Sequence, residues 1–330
     1  MRTLWLCVLV LLSSGCQSLR AEPTPPPSAT ASPKFTWQAP PEMVKRLEAH
    51  VVMLAKTIGQ RNIENPAGYK AAETYLADQL IELGYKVERQ SYPVEGHTSV
   101  NLWAELKGSQ EGVVVLGAHY DSADSGTPAA DDNASGCAGV LELARLLRDR
   151  KQGPTLRFVF FANEEPPYFH DLTMGSLVYA KKCKADGDKI LGMFSLECIG
   201  YFSDQPGSQK LPAVLASRYP TTGNFVAIVG DLGSKALVDR SLADFSAAQT
   251  MAVEAIAAPA TINGINWSDH WAFWQCDYPA VMVTDTAVYR NPNYHMSTDT
   301  PDTLDYQRMA AVVEGVHQVV LGFNTPQANP

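Results

Sequence analysis

The stretch from residue 113 to 162 constrains the fold more than any other part of the chain. Val113-Val114-Val115-Leu116 is an unbroken, mostly β-branched run, the pattern of a strand covered on both faces. Val140, Leu141, Ala144 and Leu147 then recur at helical spacing in a helix expected to start near Ser135, and Leu156–Ala162 reads as a second buried strand. Strand, helix and strand in that order call for a right-handed crossover between parallel neighbours. Phe225–Val229, Ala280–Val283 and the helical stretch Leu304–Val320 extend the alternation. Upstream, Met43, Leu47, Val51 and Leu54 mark one helix, and Tyr69, Ala72, Leu76, Leu80 and Leu83 mark another that Gly84 is placed to end. The expected fold is a single α/β domain over residues 42–330, with a central, mostly parallel (mixed) sheet flanked by helices. A chain of this length can bury about 75% of its unfolded surface in one core.

The N-terminus reads differently. Met1-Arg2 is followed by an apolar run from Leu4 to Leu12, well short of the ~20 residues that span a bilayer and suited to a signal peptide. Leu12-Ser13-Ser14-Gly15-Cys16 resembles a bacterial lipobox, with Ser13 where Leu is usual. This predicts a signal peptide over 1–15, lipidation of Cys16, and a Pro-rich spacer over 16–41 that leans toward polyproline II. The expected location is the bacterial cell envelope, with the membrane touched only through the lipid. Cys137, Cys183, Cys198 and Cys276 would remain in the mature domain, and an oxidising envelope leaves a disulfide among them open. Lys and Arg number 26 against 35 Asp and Glu, so the net charge of −9 speaks against a nucleic-acid partner.

In α/β sheets, functional groups collect at the carboxyl ends of strands. The strand at 113–118 runs into His119-Tyr120-Asp121-Ser122. Thirteen residues beyond His119 comes Asp132, within Asp131-Asp132-Asn133-Ala134-Ser135-Gly136. The next strand ends in Asn163-Glu164-Glu165, the apolar stretch 190–196 ends in Glu197, and His295 closes Asn291-Pro292-Asn293-Tyr294-His295. His119, Asp132, Glu165, Glu197 and His295 suit zinc: two Zn²⁺ ions are balanced by three carboxylates and a hydroxide, with two neutral imidazoles completing the donors. A carboxylate can bridge ions roughly 3.5–4 Å apart. Glu164 would stand beside the ions as a base, and Asp121 would orient the His119 ring.

These segments, together with Ser268-Asp269-His270, resemble in order the M28 family of zinc peptidases, which includes bacterial leucyl aminopeptidases. The resemblance spans about residues 65–320. It implies that His119 and Glu197 bind one metal, Glu165 and His295 the other, and that Asp132 bridges them through a segment with a cis Asp132-Asn133 peptide. It further implies Glu164 as general base, Asp269 as a supporting acid, peptide substrates and hydrolysis at a free N-terminus.

The fit has departures. Glu197 stands where Asp is commoner, the loop Pro166–Met174 is longer than in the simplest members, and no tyrosine is a secure oxyanion donor. Tyr168 and Phe169 are candidates for the substrate pocket, as are Tyr289 and Tyr294. His270 is expected to be structural, and His50, His97 and His317 lack acidic companions. Glutaminyl cyclases resemble the same family with one zinc and supply the alternative activity. They usually carry Trp where this chain has Tyr294.

Overall fold

The computed structural model describes residues 35–324 except 124–125 and 151. The signal peptide, Cys16 and most of the spacer lie outside the described residues. Among them, eight strands form one mixed sheet in the order β1-β2-β4-β3-β5-β8-β6-β7. The strands are β1 (Val87–Val94), β2 (His97–Leu106), β3 (Gln110–His119), β4 (Pro154–Phe161), β5 (Ile190–Glu197), β6 (Phe225–Gly230), β7 (Ala252–Ala257) and β8 (Ala280–Thr284). The pairs β4/β3, β3/β5, β5/β8 and β6/β7 are parallel, while β1/β2, β2/β4 and β8/β6 are antiparallel. The mixed sheet expected from the sequence is therefore the observed one. β1, β2 and β7 are additions to the strands the sequence marked.

Each addition has a local cause. β1 and β2 are joined by Glu95-Gly96, both at positive φ (48° and 84°), which matches the twist of a two-residue hairpin. β7 reads Ala-Val-Glu-Ala-Ile-Ala, a composition with little strand preference, and forms at the sheet edge by pairing with β6.

Helices cover both faces. Helices α1 (Pro41–Val51), α2 (Pro66–Glu82), α3 (Gly136–Leu147), α5 (Lys235–Ala248) and α7 (Tyr306–Gly322) pack on one side around Leu47, Leu76, Leu141, Phe245 and Val316. Helices α4 (Gly175–Ala185) and α6 (His270–Trp274) cover the other around Val115, Phe161, Tyr179 and Phe273. Gly84 follows α2 at φ +90°, as a helix terminator should. The packed chain begins ahead of residue 42: Ala39 is buried, its N–H donates to Gln307 (3.2 Å), and the Arg308 guanidinium lies 5.3 Å from the Phe35 ring. The four cysteines of the domain are buried and free. Among the described residues, no helix is long and apolar enough to cross a membrane.

Candidate metal centre

The site is assembled at the carboxyl ends of β3, β4 and β5. β3 finishes at His119, whose ring is fully buried. The chain then loops to Asp132, and two buried groups fix that loop. The Arg61 guanidinium donates to the carbonyls of Pro128 (2.8 Å) and Ala129 (2.7 Å), and the Asp299 carboxylate accepts from the backbone of Asp131 (3.0 Å) and Asp132 (3.2 Å). The Asp132-Asn133 peptide is cis. Beyond β4, the N–H groups of Glu164 and Glu165 donate to the two oxygens of Asp121 at 3.1 and 3.0 Å. Asp121 thus sets the path of the acidic pair, and it also stands 3.5 Å from His119 Nδ1. Asn163, Cys198 and His295 all adopt left-handed backbone (φ 54°, 49° and 58°), a costly conformation for such residues that concentrates at functional sites.

Two groups of donors result, His119–Asp132–Glu197 and Asp132–Glu165–His295, each with its ligand atoms within 4.8 Å of one another. Asp132 belongs to both through different oxygens. Its Oδ1 lies 3.3 Å from His119 Nε2, and its Oδ2 lies 3.0 Å from His295 Nε2. Glu197 Oε2 is 3.2 Å from His119 Nε2, and Glu165 Oε2 is 3.1 Å from His295 Nε2. Glu164 joins neither group, and its Oε2 is 3.9 Å from His119 Nε2.

The electrostatics favour a cation here. Burial raises the Glu164 carboxyl well above its ordinary range, with His119 opposing and Glu197 and Glu165 reinforcing the shift. Burial and the charge of Asp132 push Glu165 up to about 8. Burial pulls His295 down, but hydrogen bonds with Asp132 and Glu165 outweigh it and push the imidazole up to about 11. Asp132 responds the other way: its two histidine partners outweigh burial and hold it below the usual carboxylate range. Both ring nitrogens of His119 and Oε1 of Glu165 are buried without a hydrogen-bond partner. Orphaned donor atoms among crowded, desolvated carboxylates fit divalent metal ions bound by nitrogen and oxygen.

Holders of Glu197 were not legible as such in the sequence. Asn133 Nδ2 donates to Glu197 Oε2 (3.2 Å) and to the Leu196 carbonyl (2.8 Å), and Ser268 Oγ donates to Glu197 Oε2 (2.8 Å). Both sit inside motifs that the sequence displayed, Asp-Asp-Asn-Ala-Ser-Gly and Ser-Asp-His. A Cβ on Gly136 would lie 2.2 Å from the Leu196 carbonyl and 2.3 Å from Asn133 Oδ1, so only glycine lets this turn close on β5. Asp269 is fully buried within electrostatic reach of His119 and Glu197 but belongs to neither donor group. His270 is structural: it is buried, bonds the Ile265 carbonyl (2.7 Å), and burial lowers it to about 4.

A cleft with about 820 Å³ of empty space, counting the part open to solvent, lies beside Glu197 and Tyr294, with Phe225, Met282, Trp267 and Tyr289 among its walls. Tyr289 donates to the Asn263 carbonyl (3.3 Å), while the Tyr294 ring stacks on His295 at 4.0 Å. Tyr168 and Phe169, also expected near the substrate, do not line this cleft. Tyr168 is half-buried and donates to Glu95 (3.0 Å), and Phe169 stacks on His170, which stacks in turn on Trp271. Aromatic stacking holds this loop against α6.

A mixed α/β sheet carrying two donor groups that share one carboxylate is a candidate two-metal site of the kind metal-dependent hydrolases use. The chain matches the model of peptidase family M28 over residues 101–320 and belongs to that family of peptide hydrolases. It is 39% identical over 307 residues to the uncharacterized protein YfbL of Escherichia coli (strain K12), covering 91% of this chain and 93% of that one. It is 28% identical over 239 residues to a probable leucine aminopeptidase of Trichophyton verrucosum, covering 68% of this chain and 56% of that longer protein. Two solved structures share the fold. A Porphyromonas gingivalis glutaminyl cyclase matches with a TM-score of 0.67 and 19% identity, over 84% of this chain and 98% of that one. An aminopeptidase from Aneurinibacillus sp. strain AM-1 matches with a TM-score of 0.66 and 17% identity, over 86% and 94%.

Proposed function

We propose that this protein is a zinc-dependent aminopeptidase that removes N-terminal residues from peptides. The observation that carries the reading is the division of Asp132, one oxygen toward His119 and the other toward His295, with Glu164 close by but outside both donor groups. In this reading His119 and Glu197 would hold one zinc, Glu165 and His295 a second, with Asp132 available to both. Zinc, when bound, supplies Lewis acidity at the scissile carbonyl and lowers the pKa of water.

The chain's own groups do the rest. Glu164 accepts the proton of the attacking water at its free carboxylate and returns it to the leaving amine. Asp121 fixes the position of that base through the Glu164 N–H. The Tyr294 hydroxyl, on a ring stacked against His295, is the candidate donor to the developing oxyanion. Excess carboxylate attracts a free α-ammonium group, which favours chain ends over internal bonds. The adjoining cleft receives the first side chain.

The test is metal analysis together with a panel of amino-acid anilides and a Gln-initiated peptide. Two zinc ions per chain and released amino acids support the reading. Conversion of the peptide to pyroglutamate with one zinc would replace it with a glutaminyl cyclase. For the N-terminus we propose export and lipidation of Cys16, which tethers the domain to the bacterial envelope. Labelled palmitate incorporated by the native chain but not by Cys16→Ser is the expected result.

A further inference from the structure

Glu197 heads a straight row across the sheet. It pairs with Thr284 on β8, Thr284 pairs with Ala227 on β6, and Ala227 pairs with Glu254 on β7. Directly paired residues project from the same face of a sheet, so the row carries a carboxylate at each end and two small side chains between. Neighbouring strands lie 4.7–4.9 Å apart, so three steps separate the end strands by about 14 Å.

All four residues of the row line the cleft beside the metal centre. Thr284 and Ala227 leave its floor low. Met282, Phe225, Val229 and Ile256, two positions along their strands, form its apolar flanks. Val253 and Ala255, on either side of Glu254, pack against the core on the α5 side, Ala255 bordering the cleft as well. The alternation therefore sends the Glu254 side chain into the cleft.

Among the described residues no ion pair or hydrogen bond reaches that carboxylate; the Tyr219 phenol of the cleft wall lies within electrostatic reach, and half-burial raises the pKa of Glu254 by desolvation. Among the described residues no Lys, Arg or His lines the cleft, and Arg218 of the adjoining groove makes no ion pair. An acid at the end of an apolar trough costs stability unless a cation is delivered to it.

We propose that Glu254 determines specificity, so that the cleft selects an N-terminal lysine or arginine. This deepens, and rests on, the aminopeptidase reading. The aliphatic stem of such a residue lies over Ala227 between the apolar flanks, and its terminal cation meets Glu254. Leucine would contact the flanks but leave the acid unpaired, and sites built around a polar contact reject analogues that lack it.

Norleucine is the matched probe, a lysine stem without the amine. Calorimetric titration of the zinc-loaded protein with lysine amide and norleucine amide is paired with kcat/KM for the two anilides, in the native chain and in Glu254→Gln. The expected result is at least tenfold preference for lysine in both readouts, falling at least tenfold in Glu254→Gln. Binding of norleucine amide to the variant reports that the cleft is still formed. Equal or weaker binding of lysine amide by the native chain overturns the proposal. Preferential binding of lysine amide without hydrolysis of any anilide would instead sink the aminopeptidase reading while leaving the role of Glu254 intact.

Discussion

On β3, β4 and β5 the acidic and imidazole groups stand at the last residue of the strand or in the turn beyond it, as with His119, Glu164, Glu165 and Glu197. On β8, β6 and β7 the side chains facing the cleft lie within the strands, at Met282, Ala227 and Glu254. The first half of the sheet concentrates charge at an edge, where loops such as that of Asp132 add donors. The second half uses register across strands to build a trough. Chemistry and selectivity therefore depend on different structural properties, and substitutions should separate them.

The largest effect is expected from Glu164→Gln. The variant should keep its metal content, because Glu164 belongs to neither donor group, yet lose activity by on the order of 10²–10⁴-fold. Undiminished turnover would remove Glu164 from the mechanism. Ser268→Ala takes one hydrogen bond from Glu197 and should weaken metal affinity by about 10–100-fold in a chelator competition. Unchanged affinity would mean that Ser268 does not tune the site.

Ala227→Leu acts only on the other half. Raising the trough floor should lower kcat/KM for long side chains by on the order of tenfold while zinc content stays constant. Loss of metal in that variant would show the two halves to be coupled. His270→Gln, at the start of α6, should leave activity at neutral pH little changed and alter acid stability. A histidine near 4 when folded and 6.5 when unfolded binds its proton preferentially in the unfolded chain, so stability present above pH 6.5 is lost as pH falls toward 4. The cost is up to about 3 kcal/mol, and urea titrations at pH 7 and 4.5 should show a smaller difference in the variant.

The strand-end donors were legible because an apolar run terminating in His, Asp or Glu announces both its element and its end. His270 was legible as structural from the aromatic stretch that follows it. Asn133 and Ser268 were visible as parts of motifs but not as supports of Glu197, since their partner lies 64 and 71 residues away in sequence. Arg61, whose donors fix the loop before Asp132, stood in no motif that pointed to it. The surroundings of Tyr168 and Phe169 were not legible because loop composition gives no direction; the stacking of Phe169 on His170 and of His170 on Trp271 supplies it.

By itself the sequence determined the α/β class, the order of the main elements and the kinds of donor at each strand end, because periodicity and turn chemistry are local properties. Tertiary structure decided that Asp132 divides its oxygens between two histidines and that Glu197 and Glu254 share a row. Both depend on lateral strand order and register, which arise only when segments distant along the chain pair and bury a common face.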